Sequence, residues 1–133
     1  MRYVVIGGAG FIGSHLVDRL LAGGHAVEVV DDLATGSLAN LAEARRSGGE
    51  LKIHNLDAAS EDLDSLFGLR QPDAVYHLAL LPRRPDSVRD VGLAFERALT
   101  SLEAARRHAV ARMVVALPAA TARKKSIASS KWK

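Results

Sequence analysis

Apolar and polar positions follow two rhythms along residues 1–117, and the rhythm switches at each glycine or proline cluster. Residues 3–6 form a short β-branched and aromatic run closed by Gly7, which predicts a buried strand. Phe11, Ile12, His15, Leu16, Arg19 and Leu20 then recur at steps of three and four, the spacing of a helix that stops at Gly23 and Gly24. A second strand is predicted over 26–30, ending at Asp31, then a weaker helix over 37–46 closed by Gly48 and Gly49, and a third strand over 51–54. Residues 60–66 read as one or two helical turns with Ser60 as the N-cap. After the break at Pro72, a fourth strand is predicted over 74–78, a long helix over 87–108 and a fifth strand over 113–117.

Strands that alternate with helices need crossover connections, and these are right-handed and leave the strands parallel in one sheet covered on both faces. The expectation is an α/β domain of Rossmann type over residues 1–117, a doubly wound parallel sheet of about five strands in the order 3-2-1-4-5. Residues 118–133 carry Ala, Ser, Thr, Lys and Arg without a period and read as a basic, disordered tail.

Composition sharpens this picture at three points. With 133 residues, 48% of them hydrophobic, the chain has the length and apolar content for one domain with a real core. The net charge of +3 is uneven: Arg123, Lys124, Lys125, Lys131 and Lys133 lie after Leu117 with no acid among them, leaving thirteen bases against fifteen acids before it. The excess sits in a short tail rather than across a folded face, so a solvated end is expected and nucleic-acid binding is not. Cysteine is absent, no apolar run is long enough to cross a bilayer, and no signal-like segment opens the chain. A soluble, cytoplasmic protein without membrane attachment is expected.

The chemistry concentrates at the join of the first strand and first helix. Gly7, Gly10 and Gly13 stand three apart where the leading N–H groups of a helix have no intrahelical partners. Gly7 allows a sharp turn, Gly10 lets a diphosphate approach bare backbone, and Gly13 lets the helix lie close to the sheet. Asp31, about twenty residues on at the end of the second strand, is placed to accept from a ribose and to repel a 2′-phosphate. The pattern points to NAD rather than NADP. The five histidines never fall at metal-ligand spacing, so no metal site is expected. His77 reads as a core residue. Ser14 is not on a Gly-x-Ser-x-Gly elbow. The loop Pro82, Arg83, Arg84, Pro85 could meet a substrate diphosphate or be merely solvated.

The stretches GGAGFIGSHL at 7–16, DDLATGSLANL at 31–41, DAVYHLA at 73–79, SVRD at 87–90 and LEAARRHAVARMVVA at 102–116 resemble the extended short-chain dehydrogenase/reductases. Within them, the chain is similar to the NAD-dependent nucleotide-sugar epimerases and dehydratases of UDP-glucose 4-epimerase type. The resemblance implies backbone contacts from Phe11 and Ile12 to the pyrophosphate. It further implies a ribose contact from Asp31 and an adenosine wall from Asp32, Leu33, Thr35 and Gly36. Asp57 and Ala58 resemble the pair that receives the adenine amino group, although Asp57 by itself also reads as a helix cap. Leu78, Ala79 and Leu80 resemble the segment beneath the nicotinamide ribose.

The chain departs from the family where the chemistry is done. The family's reacting pair is Tyr-x-x-x-Lys beyond the fifth strand. Here tyrosine stands only at 3 and 76, with Gly7 and Leu80 four residues on. Ala116, Leu117 and Pro118 occupy positions where hydroxyl residues are expected, and the family's Asn-x-x-Gly-Thr element gives way to Phe95, Glu96, Arg97 and Ala98 with about four residues missing. No catalytic residue is assigned, and whether the chain is an enzyme stays open. A catalytically incomplete NAD-binding part is expected, its ending resembling a truncation, a shifted frame or an engineered terminus. A nucleotide sugar would bind only if a C-terminal half were supplied, and the helix over 87–108 is expected to pair two copies into a homodimer. The alternative is an interaction module with a relic nucleotide site and a basic tail.

Overall fold

A computed structural model of the chain describes residues 1–79 and 88–116. Leu80, the loop at 82–85 and the tail at 118–133 lie outside the described residues. The elements alternate as the sequence pattern requires: β1 (Arg2–Ile6), α1 (Phe11–Ala22), β2 (Ala26–Asp31), α2 (Ala42–Arg46), β3 (Leu51–Asn55), α3 (Asp62–Arg70), β4 (Ala74–His77), α4 (Val88–Arg107) and β5 (Arg112–Val115). The five strands are all parallel, in the order β3-β2-β1-β4-β5. The chain therefore reverses direction across the sheet between β1 and β4, which opens a crevice beyond their carboxyl ends.

Strand side chains alternate between two apolar layers, because successive residues of a strand face opposite sides. Val5, Val27 and Val29 pack with Val17, Leu20 and Leu21 of α1 and Ala44 of α2. Val4, Ile6, Val30 and Val75 pack with Leu63, Leu66 and Phe67 of α3 and with Ala104 and Ala105 of α4. Several elements shift from their predicted limits. The weak helix expected over 37–46 is split into a 3₁₀ turn, Leu38–Leu41, running into α2, with the Ser37 hydroxyl accepting from the Ala39 N–H at 3.2 Å. Helix α3 extends past the predicted 66 to Arg70. It ends where Gln71 takes the left-handed conformation (φ 48°) and its N–H closes on the Phe67 carbonyl at 2.8 Å. The N-cap of α3 is Glu61 rather than the expected Ser60, whose hydroxyl still accepts from the Asp62 N–H at 3.1 Å from one residue before the cap.

One polar cluster interrupts the second layer. Glu28, read from sequence as part of an apolar strand, has a side chain only 1% exposed. It is surrounded by Arg2 at 3.0 Å and His54 at 2.9 Å, with Arg70 Nε at 3.3 Å, close enough for charge attraction though poorly aimed for a hydrogen bond. A buried carboxylate persists only when such partners offset its lost hydration. No helix among the described residues is long and apolar enough to cross a membrane.

Candidate functional site

The turn leaving β1 is held by the backbone on both sides. Gly7 has φ +84°, and a Cβ there would lie 2.9 Å from the Ala79 nitrogen. Its N–H donates to the Val30 carbonyl at 2.7 Å. Gly13 is closed more tightly, since a Cβ there would overlap the Gly7 carbonyl oxygen. Gly10 differs from both. Among the described residues a Cβ there would meet only the Gly7 oxygen, at 3.4 Å, and Gly10 lines the crevice. Gly10 precedes α1 in an extended conformation and no side chain caps the helix, which leaves its first N–H groups directed outward. Phe11 and Ile12 are 78% and 67% exposed, unusual for large apolar side chains. Neither is among the residues that line the cleft.

Asp31 ends β2 opposite this turn. Its Oδ2 accepts from the Ala9 N–H at 2.9 Å and its Oδ1 from the Leu33 N–H at 2.8 Å, so the carboxylate is fixed while each oxygen retains acceptor capacity. Leu33 takes φ 62°, in the left-handed region, and its side chain packs against the α1 and α2 layer rather than lining the crevice. Gly36 rests against Ala9, where an added Cβ would touch three atoms at 3.0 Å. The Ala9 carbonyl accepts from the Ser37 N–H at 3.0 Å and from Asn40 Nδ2 at 2.8 Å. The glycine turn and the loop after β2 are thus bonded into one unit.

These parts enclose a cleft of about 510 Å³, inside the range of small-molecule sites, about 300–1,000 Å³. Of the residues singled out in the sequence, Gly7, Gly10, Asp31, Asp32, Thr35, Ala58, Leu78 and Ala79 line it. Gly13, Gly36 and Asp57 are not among the lining residues: Gly13 packs against the Gly7 turn, Gly36 against Ala9, and Asp57 is joined to the cleft through Arg97. Ile6, Val30 and Leu56 supply an apolar floor that sequence reading did not single out.

The largest omission was Arg97. It projects from α4 into the cleft and grips Asp57 with two hydrogen bonds, Nε to Oδ1 at 2.9 Å and Nη2 to Oδ2 at 3.2 Å, while Nη2 also lies 3.4 Å from Asp32 Oδ2. Hydrogen bonding to Arg97 holds the Asp57 carboxyl below its usual range, against the opposing effect of burial, and the same bond raises the guanidinium. Just behind, His77 is buried at the end of β4 with its Nδ1 3.3 Å from the Ser101 hydroxyl. Burial, and then the Arg97 charge, push its imidazole down. Among the described residues no group of three His, Cys, Asp or Glu could hold a metal ion. The arrangement can hold an anion on backbone N–H groups at one end, accept from hydroxyls at Asp31, and cover a flat apolar ring over Leu56 and Ala58.

A family model described as the NAD dependent epimerase/dehydratase family matches residues 3–126. A UDP-glucose 4-epimerase of Mycolicibacterium smegmatis is 46% identical over 79 residues, 59% of this chain and 25% of that protein. One of Lacticaseibacillus casei is 32% identical over 126 residues, 91% of this chain and 36% of that protein. Among solved structures, a Thermus thermophilus UDP-glucose 4-epimerase in complex with NAD superposes with a TM-score of 0.71 at 36% identity, covering 85% of this chain and 36% of that one. The chain spans about a quarter to a third of the length of these relatives.

Proposed function

The chain belongs to the NAD dependent epimerase/dehydratase family, and from that premise we propose that its cleft binds NAD(H). The diphosphate rests on the N–H groups of Phe11 and Ile12 beside Gly10, the adenosine ribose bonds Asp31, and the nicotinamide end lies over Leu78 and Ala79. The carrying observation is the open space at Gly10, where bare backbone faces the cleft directly across from a fixed carboxylate. When bound, the nicotinamide ring supplies a hydride acceptor. The residues described here bind and orient the cofactor, and Asp31 disfavours a 2′-phosphate.

The 133 residues contain no Tyr-x-x-x-Lys pair, so by themselves they are expected to turn over no nucleotide sugar. That chemistry, and the sugar pocket, would come from groups outside these residues. Helix α4 also supports pairing of two copies. Val88, Val91, Phe95, Leu99 and Leu102 are exposed at steps of three and four along its length, an apolar stripe of the kind that packs against another helix. Calorimetric titration tests the cofactor reading: NAD should bind in preference to ATP and NADP, with UDP-glucose epimerisation at background. Equal heats for NAD and ATP would reject it.

A further inference from the structure

The carboxylate at the end of β3 is already engaged by the chain itself. Asp57 Oδ1 accepts from the Ala59 N–H and from Arg97 Nε, both at 2.9 Å, and Oδ2 accepts from Arg97 Nη2 at 3.2 Å. About four acceptor positions belong to a carboxylate, and the described residues fill three of them. The grip is a fork-on-fork pair, the geometry in which arginine is held most firmly, and Asp32 steadies the same Nη2 from the other side.

Position gives this pair its meaning. In a sheet ordered 3-2-1, a nucleotide with its diphosphate at the β1 turn and its ribose at Asp31 carries its base onward to the end of β3. The floor there is Leu56 and Ala58, which takes a flat ring by its face and reads nothing of its edge. The edge meets Arg97. A 6-amino purine needs an acceptor for its amino N–H, yet two of the acceptor positions on the nearby carboxylate are taken by a cationic donor, which weakens its pull on a further N–H. A 6-oxo purine presents an acceptor, which guanidinium N–H groups satisfy.

We infer that Arg97 is the base-specificity residue of this site, cancelling the preference for a 6-amino purine that a free Asp57 would impose and letting 6-oxo purine dinucleotides bind comparably. The inference rests on the dinucleotide reading above.

The test titrates the full chain by calorimetry with NAD⁺ and with nicotinamide hypoxanthine dinucleotide, which differ only at the purine edge. The wild-type affinities should agree within about threefold, and Arg97→Met, which frees Asp57, should favour NAD⁺ by about tenfold or more. Arg97→Lys retains the charge without the fork and should fall between them. It also serves if the Met variant fails to fold, which thermal unfolding reports. A tenfold preference for NAD⁺ in the wild type, or a ratio that Arg97 variants leave unmoved, overturns the inference alone. Binding of neither dinucleotide to the wild type removes the cofactor reading and the inference together.

Discussion

Two glycines three residues apart should fail in opposite ways when each is changed to alanine. In Gly13→Ala the new methyl would overlap the Gly7 carbonyl oxygen and stand 2.8 Å from the Gly8 Cα, both backbone atoms that cannot rotate away. Overpacking in a well-filled interior costs typically 1–3 kcal/mol, and an overlap with backbone lies at the upper end, so a loss of about 3 kcal/mol is expected. For a domain of this size that corresponds to a fall in Tm of roughly 10 °C. In Gly10→Ala the methyl meets one atom at 3.4 Å, and the residue's φ of −80° and ψ of 178° are open to alanine. The modest cost of alanine at an N-cap is offset by the reduced freedom of the unfolded chain, leaving stability within about 0.5 kcal/mol of wild type. The same methyl projects into the cleft where the proposed diphosphate would approach, so NAD affinity should fall by about tenfold or more, equivalent to about 1.4 kcal/mol. Thermal unfolding followed by circular dichroism, paired with calorimetric titration, measures both quantities. The reasoning fails if Gly10→Ala binds NAD like the wild type, or if Gly13→Ala unfolds at the wild-type temperature.

Three further outcomes follow from the structure. Glu28→Gln removes the anion among Arg2, His54 and Arg70 and should lower the urea unfolding free energy by about 3 kcal/mol, as expected when a buried ion pair is broken on one side; a midpoint within error of wild type would show the cluster to be energetically idle. His77 has a folded-state pKa below its ordinary 6.5, so the unfolded chain takes up the proton first and stability declines as pH falls below that value. His77→Gln should flatten that part of a Tm-against-pH curve, and parallel curves for both proteins would exclude His77 as the source. Phe95→Lys places a charge in the exposed stripe of α4 and should shift the chain toward monomer in light scattering; an unchanged mass would place any association elsewhere.

The order of strands and the place of the glycine turn were legible because the signals are local. A β-branched run, a glycine turn and an amphipathic helix each declare themselves within a dozen residues, and the spacing from Gly7 to Asp31 is fixed by one strand-helix-strand unit. What stayed hidden depends on distant partners. Arg97 meets Asp57 across 40 positions of sequence and Glu28 meets His54 across 26, and nothing around either residue announces the pairing. The one available sign was that Arg97 falls in the shortened element where the family resemblance expects Asn-x-x-Gly-Thr. Backbone exceptions were hidden for another reason. Leu33 and Gln71 adopt left-handed conformations ordinarily given to glycine or asparagine, so turn chemistry predicted neither the bend after β2 nor the end of α3.

The bonds that converge on Ala9 bear on the timing of ligand capture. Its N–H is committed to Asp31 and its carbonyl to both Ser37 and Asn40, so the glycine turn, Asp31 and the loop after β2 are pinned together through one residue and the two peptide units that flank it. A receptor surface joined this way is shaped before its guest arrives, and little chain entropy remains to be surrendered on contact. Association should then proceed in one kinetic phase with a rate linear in ligand concentration, and differences in affinity among nucleotides should reside in how long each one stays.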